Sequence, residues 1–297
     1  LFSRKFNMPQ VVGALLAGVI LGPSVLNWIS FEGTTGSYLE ITAEIGVILL
    51  MFSAGLGTDL TELKKNGVAS FVVALIGVIV PLLGGFMSYA LYFHTNMNDF
   101  AEVLKAVFVG VVLTATSVSI TVETLREMGK LKGHVGTTIL GAAVIDDVMG
   151  IIVLTIVTSI QDTTVKPSSV LLKIVLYFVM IAIVAFVLTK CKKLIEGPGE
   201  KRRITIFAIA FCFLLSYVSE KFFGIADITG AYFAGLMLCN MKVGHYIEER
   251  VGVPSYLIFS PVFFASIGIK TQLEHMNMRL LGFCFILLAV AILTKIV

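Results

Sequence analysis

Residues Val135 to Ile160 read VGTTILGAAVIDDVMGIIVLTIVTSI. Almost every residue is apolar or small, and the run is long enough to cross a bilayer as one helix. In its middle stand two adjacent carboxylates, Asp146 and Asp147, with no Lys or Arg inside the stretch. An ionisable group at mid-membrane depth costs several kcal/mol on most scales, so its default role is functional. The rest of the chain can be read as the scaffold around this pair.

Composition says what kind of scaffold. Of 297 residues, 57% are hydrophobic and 14% charged, with a mean hydropathy of +0.97. Soluble domains carry roughly 25% charged residues, so a globular enzyme is excluded and an all-α, polytopic membrane protein is expected. Ten hydrophobic segments are expected at about 9–24, 37–56, 67–93, 100–122, 135–160, 169–190, 204–222, 226–241, 253–269 and 281–297. The first and eighth are short for a span. Cys191, Cys212, Cys239 and Cys284 lack metal spacing and read as packing residues. The chain opens without Met and closes inside an apolar run, so both ends read as cut.

Loop charges give orientation. Alternate loops hold Arg4, Lys5, Lys64, Lys65, Arg126, Lys130, Lys132, Lys190, Lys192, Lys193, Lys201, Arg202, Arg203, Lys242 and Arg250, fifteen cations, and the opposite loops hold Lys166, Lys221, Lys270 and Arg279, four. The positive-inside rule makes the first set cytoplasmic. The most basic loop, Lys190 to Arg203, is expected to act as an anchor facing anionic membrane lipid.

An internal repeat runs across that loop. Gly13-Ala14-Leu15-Leu16-Ala17-Gly18 resembles Gly230-Ala231-Tyr232-Phe233-Ala234-Gly235 at an offset of 217, and Ser53-Ala54-Gly55-Leu56 resembles Ser266-Ile267-Gly268-Ile269 at an offset of 213. By span count the halves are inverted, a transporter signature. The expected division is 1–160 as the first repeat, 161–225 as linking spans, and 226–297 as an incomplete second repeat.

Span four supplies the second chemical feature, Thr114-Ala115-Thr116-Ser117-Val118-Ser119-Ile120-Thr121. Some of these hydroxyls can bond back to their own backbone. The functional reading is a broken helix whose freed carbonyls and hydroxyls coordinate a hard cation. Thr116 lies about 24 Å along its span and Asp147 about 18 Å into the next, so the two regions can meet. Neighbours on a helix point about 100° apart, so Asp146 and Asp147 need not share one ligand. Burial disfavours the charged form, so such a carboxylate takes either a proton or a small cation, and that competition suffices for exchange. Oxygen-only ligation suits sodium or lithium and argues against a transition metal.

Two readings stand for Lys295: it snorkels to the interface, or it is buried and partnered by Asp146. Glu44 and Asp227 are read as helix N-terminal acids. His94, His134, His245 and His275 are read as solvated loop residues.

Taken together, Phe6-Asn7-Met8-Pro9-Gln10-Val11-Val12-Gly13 through Gly22-Pro23, Glu44 to Gly55, Thr116-Ser117-Val118, Ala143-Val144-Ile145-Asp146-Asp147, and Phe263-Phe264-Ala265-Ser266-Ile267-Gly268 resemble the bacterial sodium/proton exchangers of the cation–proton antiporter superfamily. The resemblance covers essentially the whole chain. It implies an inverted-repeat antiporter fold with panel and core domains, a broken crossing helix, and a homodimer formed through the panel. It implies that Asp147 binds the transported cation and the proton, that Asp146 pairs with Lys295, and that Thr116 and Ser117 occupy the helix break. Relatives with Gln in place of the first Asp are typically potassium-linked or electroneutral. The Asp-Asp pair here resembles the electrogenic type, in which two protons exchange for one cation.

The expected function is therefore sodium (or lithium)/proton antiport by alternating access in a bacterial inner membrane, serving pH homeostasis, with no resident cofactor and no nucleic-acid partner. A potassium/proton antiporter of the same fold is the alternative. An intramembrane aspartyl protease would place its two Asp on facing helices, which adjacent residues on one helix do not. An ion channel would carry current without stoichiometric proton coupling.

Overall fold

A computed structural model describes residues 9–31, 33–161, 167–195, 201–271 and 277–296. Arg4, Lys5, Lys166, His275 and the middle of the basic loop, 196–200, lie outside these residues. So do Phe6, Asn7 and Met8 of the opening motif.

Among the described residues all regular structure is helical: α1 Gln10–Leu21, α2 Gly33–Gly57, α3 Leu60–Lys65, α4 Gly67–Phe93, α5 Phe100–Thr114, α6 Val118–Glu127, α7 His134–Gln161, α8 Pro167–Ile195, α9 Lys201–Val218, α10 Asp227–Leu238, α11 Gly244–Pro254, α12 Ser260–Lys270 and α13 Met278–Ile296. In lipid this is the expected solution, because a helix satisfies its own backbone groups. Among the described residues eight helical runs are long and apolar enough to cross a membrane, counting α5–α6 and α11–α12 each as one; α1 and α10, at 12 residues each, are shorter.

All ten expected segments are helical, but several boundaries move: the second span starts at Gly33, the sixth runs to Ile195 and the seventh starts at Lys201. The fourth continues to Glu127 and the ninth begins at Gly244, so Lys64, Lys65, Arg126, His134, Lys190, Lys192, Lys193, Lys201, Arg202, Arg203, His245, Arg250, Lys270 and Arg279 sit on helices and not in loops. Their turns are polar, and hydropathy registers a helix only where its side chains are apolar. His245 lies 3.5 Å from Glu248 and 3.4 Å from Glu249. Glu44 is also displaced from its expected place at a helix end: it sits within α2, its carboxylate within 4.8 Å of those of Glu220 and Asp227. Asp227 does open α10, where it accepts the Ile228 N–H at 2.7 Å.

The chain forms two compact units. The first comprises Leu1–Glu62, Ser119–Thr137 and Tyr177–His275; the second comprises Leu63–Val118, Thr138–Leu176 and Met276–Val297. Each draws helices from both ends of the sequence.

The first unit is built on two helix crossings at which backbone touches backbone. A Cβ on Gly55 of α2 would lie 2.2 Å from Tyr232 O, 2.9 Å from Leu236 N and 3.1 Å from Gly235 Cα of α10. A Cβ on Gly268 of α12 would lie 2.2 Å from Leu15 O, 2.7 Å from Val19 N and 2.9 Å from Gly18 Cα of α1. Leu15, Gly18 and Val19 become Tyr232, Gly235 and Leu236 at the repeat offset of 217, so the two crossings use the same atoms. Small residues let helices approach this closely where lipid leaves no hydrophobic drive between them.

Polar contacts complete this unit. Arg126 donates to Ser53 Oγ at 2.7 Å, and its Nη1 stands 3.8 Å from the carboxylate of Glu123, which is 3% exposed. The Glu127 carboxylate accepts the Gln10 N–H at 2.9 and 3.0 Å, placing negative charge at the N-terminus of α1.

The second unit packs α4 against α5 through Gly85 and Gly110; a Cβ on Gly110 would fall 2.4 Å from Leu82 O. Leu104, Val111 and Val157 pack together behind this contact. At the other flank of α4, Tyr89, Tyr92 and Phe93 enclose Phe283 of α13, and Tyr92 donates to Arg279 O at 2.8 Å. Ser70 of α4 donates to Thr138 O of α7 at 3.1 Å. These contacts bring α5, α7 and α13 around one helix.

Candidate functional site

The hydroxyl-rich stretch breaks where the sequence places the break. α5 ends at Thr114, Ala115 turns to an extended conformation (φ −61°, ψ 121°), and helix resumes at Val118. Ala115, Thr116 and Ser117 are outside regular helix. Back-bonding accounts for part of the hydroxyl content: the Thr114 hydroxyl donates to Val111 O at 2.7 Å. The Thr114 carbonyl, as the last of its helix, is left to accept from elsewhere.

Lys295 provides the donor. Its Nζ lies 2.6 Å from Thr116 Oγ1, 3.2 Å from Thr114 O and 3.0 Å from Gly77 O. It also stands 4.0 Å from Asp146 Oδ2. Lys295 is exposed as a residue, yet its ammonium turns inward to the break of its own unit and toward Asp146. Asp146 is 8% exposed, and its Oδ1 is buried without a hydrogen-bond partner. Asp147 is half-buried and, among the described residues, its carboxylate takes no hydrogen bond or ion pair.

The structure thus brings Thr116, Lys295 and Asp146 together, with Asp147 beside them in sequence and its carboxylate uncommitted. Ser117 lies at the same break with its residue exposed. Gly77 and the Thr114 carbonyl were not foreseen from sequence. The signal for Gly77 was Pro81, which lies inside α4 four residues on. Proline has no N–H, so the carbonyl four residues earlier loses its helical donor.

These groups can hold a small hard cation by oxygen ligation, or a proton on a carboxylate, and they carry a fixed ammonium that competes for the same oxygens. A polytopic helical protein with such a site at a broken helix belongs to the class of ion transporters, not enzymes. Comparison with known proteins narrows the class. The family model described as sodium/hydrogen exchanger, transmembrane, matches residues 1–297, and the chain belongs to that family.

A probable Na+/H+ antiporter of Bacillus cereus, GerT, is 39% identical over 297 residues, covering 99% of this chain and 76% of its own. The Na+/H+-K+ antiporter GerN of Bacillus cereus is 37% identical, covering 99% of this chain and 73% of its own. In fold, the chain resembles the sodium proton antiporter MjNhaP1 of Methanocaldococcus jannaschii, with a TM-score of 0.67 at 18% identity, covering 99% of this chain and 72% of that one. The protein is a multi-pass membrane transporter with the antiporter fold.

Proposed function

We propose that the chain exchanges sodium or lithium for protons by alternating access, as a secondary active transporter. The observation that carries this reading is the meeting of the helix break, Lys295 and the Asp146–Asp147 pair within one compact unit. The sodium/proton names of the most similar relatives support the choice of cation. One of these relatives is named for potassium as well, so potassium is the second cation to test.

In this mechanism Asp147 is the exchange site, because its carboxylate is uncommitted. A cation entering draws on Asp147 and the oxygens of the break, including Thr116 and Ser117, and displaces the bound proton. Asp146 is the counter-charge of Lys295 and balances it when no cation is bound. Exchange of protons for a single positive charge through such a pair is electrogenic. The atom-for-atom repetition of the two glycine crossings supports an inverted repeat, on which alternating access depends. The apolar outward faces suit membrane lipid, and we assign homodimerisation to the panel that α1, α2, α9 and α10 build.

The test is proton flux in liposomes. Sodium or lithium added outside should dissipate an imposed pH gradient, with potassium far less effective. A gradient insensitive to all three ions would overturn the reading, and one answering to potassium alone would exchange it for the second.

A further inference from the structure

An ammonium group has three protons, and those of Lys295 have three acceptors: Gly77 O at 3.0 Å, Thr114 O at 3.2 Å and Thr116 Oγ1 at 2.6 Å. Asp146 Oδ2, at 4.0 Å, is beyond hydrogen-bonding distance. The lysine is therefore seated by α4 and α5, and the aspartate only attracts it. Two of the three acceptors are carbonyls that a continuous helix would have used itself. Thr114 O is released by the break at Ala115. Gly77 O is released by Pro81, which cannot donate to it. A Cβ on Gly77 would lie 3.9 Å from the ammonium, an ordinary van der Waals contact, so the seat uses the Gly77 carbonyl and does not depend on a glycine there.

We propose that Pro81 is a positioning residue for exchange: by withholding an N–H it leaves Gly77 O wholly to the ammonium and so tightens the lysine seat. The proposal rests on the reading of Lys295 as the partner of Asp146, and it adds what sets the lysine's hold. A lysine on this seat covers Thr114 O and Thr116 Oγ1, oxygens that a cation at the break would need. The strength of the seat therefore helps set how much cation is required to displace the ammonium.

Pro81→Ala restores an N–H opposite Gly77 O, so that oxygen is shared between the helix and the ammonium and the seat weakens. Ala is the better helix former, so the variant should fold. A hydrogen bond to a charged group is worth about 1.5–3 kcal/mol, and 1.4 kcal/mol is tenfold in an equilibrium constant. The expected result in liposomes is a fall of about tenfold in the cation KM, with a smaller change in maximal rate. In a Lys295→Gln background the same substitution should move KM by less than twofold, because the residue it acts through is gone. An unchanged KM in the parent background, or an equal shift in both backgrounds, overturns the proposal.

A second readout does not depend on transport. Amine acylation of Lys295 in membranes, followed by peptide mass spectrometry, should quicken several-fold in Pro81→Ala and not in Val80→Ala. Equal labelling in the two variants overturns the seat even if exchange is robust. Faster labelling in a chain that exchanges nothing would uphold the seat and sink only the functional reading.

Discussion

The Lys295 ammonium stands 4.0 Å from Asp146 Oδ2, a charge contact without a hydrogen bond. That geometry separates two neighbouring aspartates into different tasks. In the proposed mechanism Asp146 answers to the lysine, and Asp147 is left for the exchanged ions.

Asp147→Asn should abolish exchange, because an amide neither takes up a proton nor offers a charge to the cation. Fluorescence measurement of the pH gradient in liposomes checks it. Retained sodium-driven proton flux would remove Asp147 as the carrier.

Asp146→Asn should be milder. Lys295 keeps its three acceptors in that variant, so the break remains covered, but the ammonium loses its counter-charge. Exchange should continue with a different charge moved per cycle. Transient currents on a solid-supported membrane, recorded beside proton flux, give that ratio; an unaltered ratio would count against the division of tasks.

Arg126→Leu should destabilise the first unit by about 3 kcal/mol, because it leaves the Glu123 carboxylate buried without its partner. Adding Glu123→Gln should recover most of the loss, since the uncompensated charge is then gone. Thermal melting in detergent measures both variants. If the double variant melts no higher than the single one, the pair is not the cause.

Gly55→Leu and Gly268→Leu should each cost about 3 kcal/mol or more by overpacking, because each new Cβ would meet a carbonyl oxygen at 2.2 Å. The two losses should be alike, since the surrounding atoms are alike. Loss of the monodisperse peak on size exclusion for one variant and not the other would break that equivalence.

Much of this was legible in the sequence, for physical reasons. A carboxylate pair in an apolar run is costly, so Asp146 and Asp147 announce themselves. A dense hydroxyl run in a span marks backbone that does not continue as helix, and the break fell at Thr116 and Ser117. Repeated glycine positions marked the two crossings, although nothing in the pattern said which glycine would meet which.

What escaped depends on approach in space. Gly77 is an unremarked residue until a lysine 218 positions later reaches its carbonyl. Arg126 reads as a loop cation and Glu123 drew no reading, because hydropathy cannot tell a buried ion pair from a solvated one. Glu44 met Glu220 and Asp227 only after α2 came against the segment that joins α9 to α10.

The crossings of α2 with α10 and of α1 with α12 are one joint made twice. At each, a carbonyl oxygen and an amide nitrogen press on a bare Cα, with no side chain between to deform. Sliding either helix by a single residue would drive a methyl group or larger into main chain, so the joints act as pins. Because the pins match, the first unit is held at two places by main chain against main chain, where a change of side chain elsewhere has nothing to loosen.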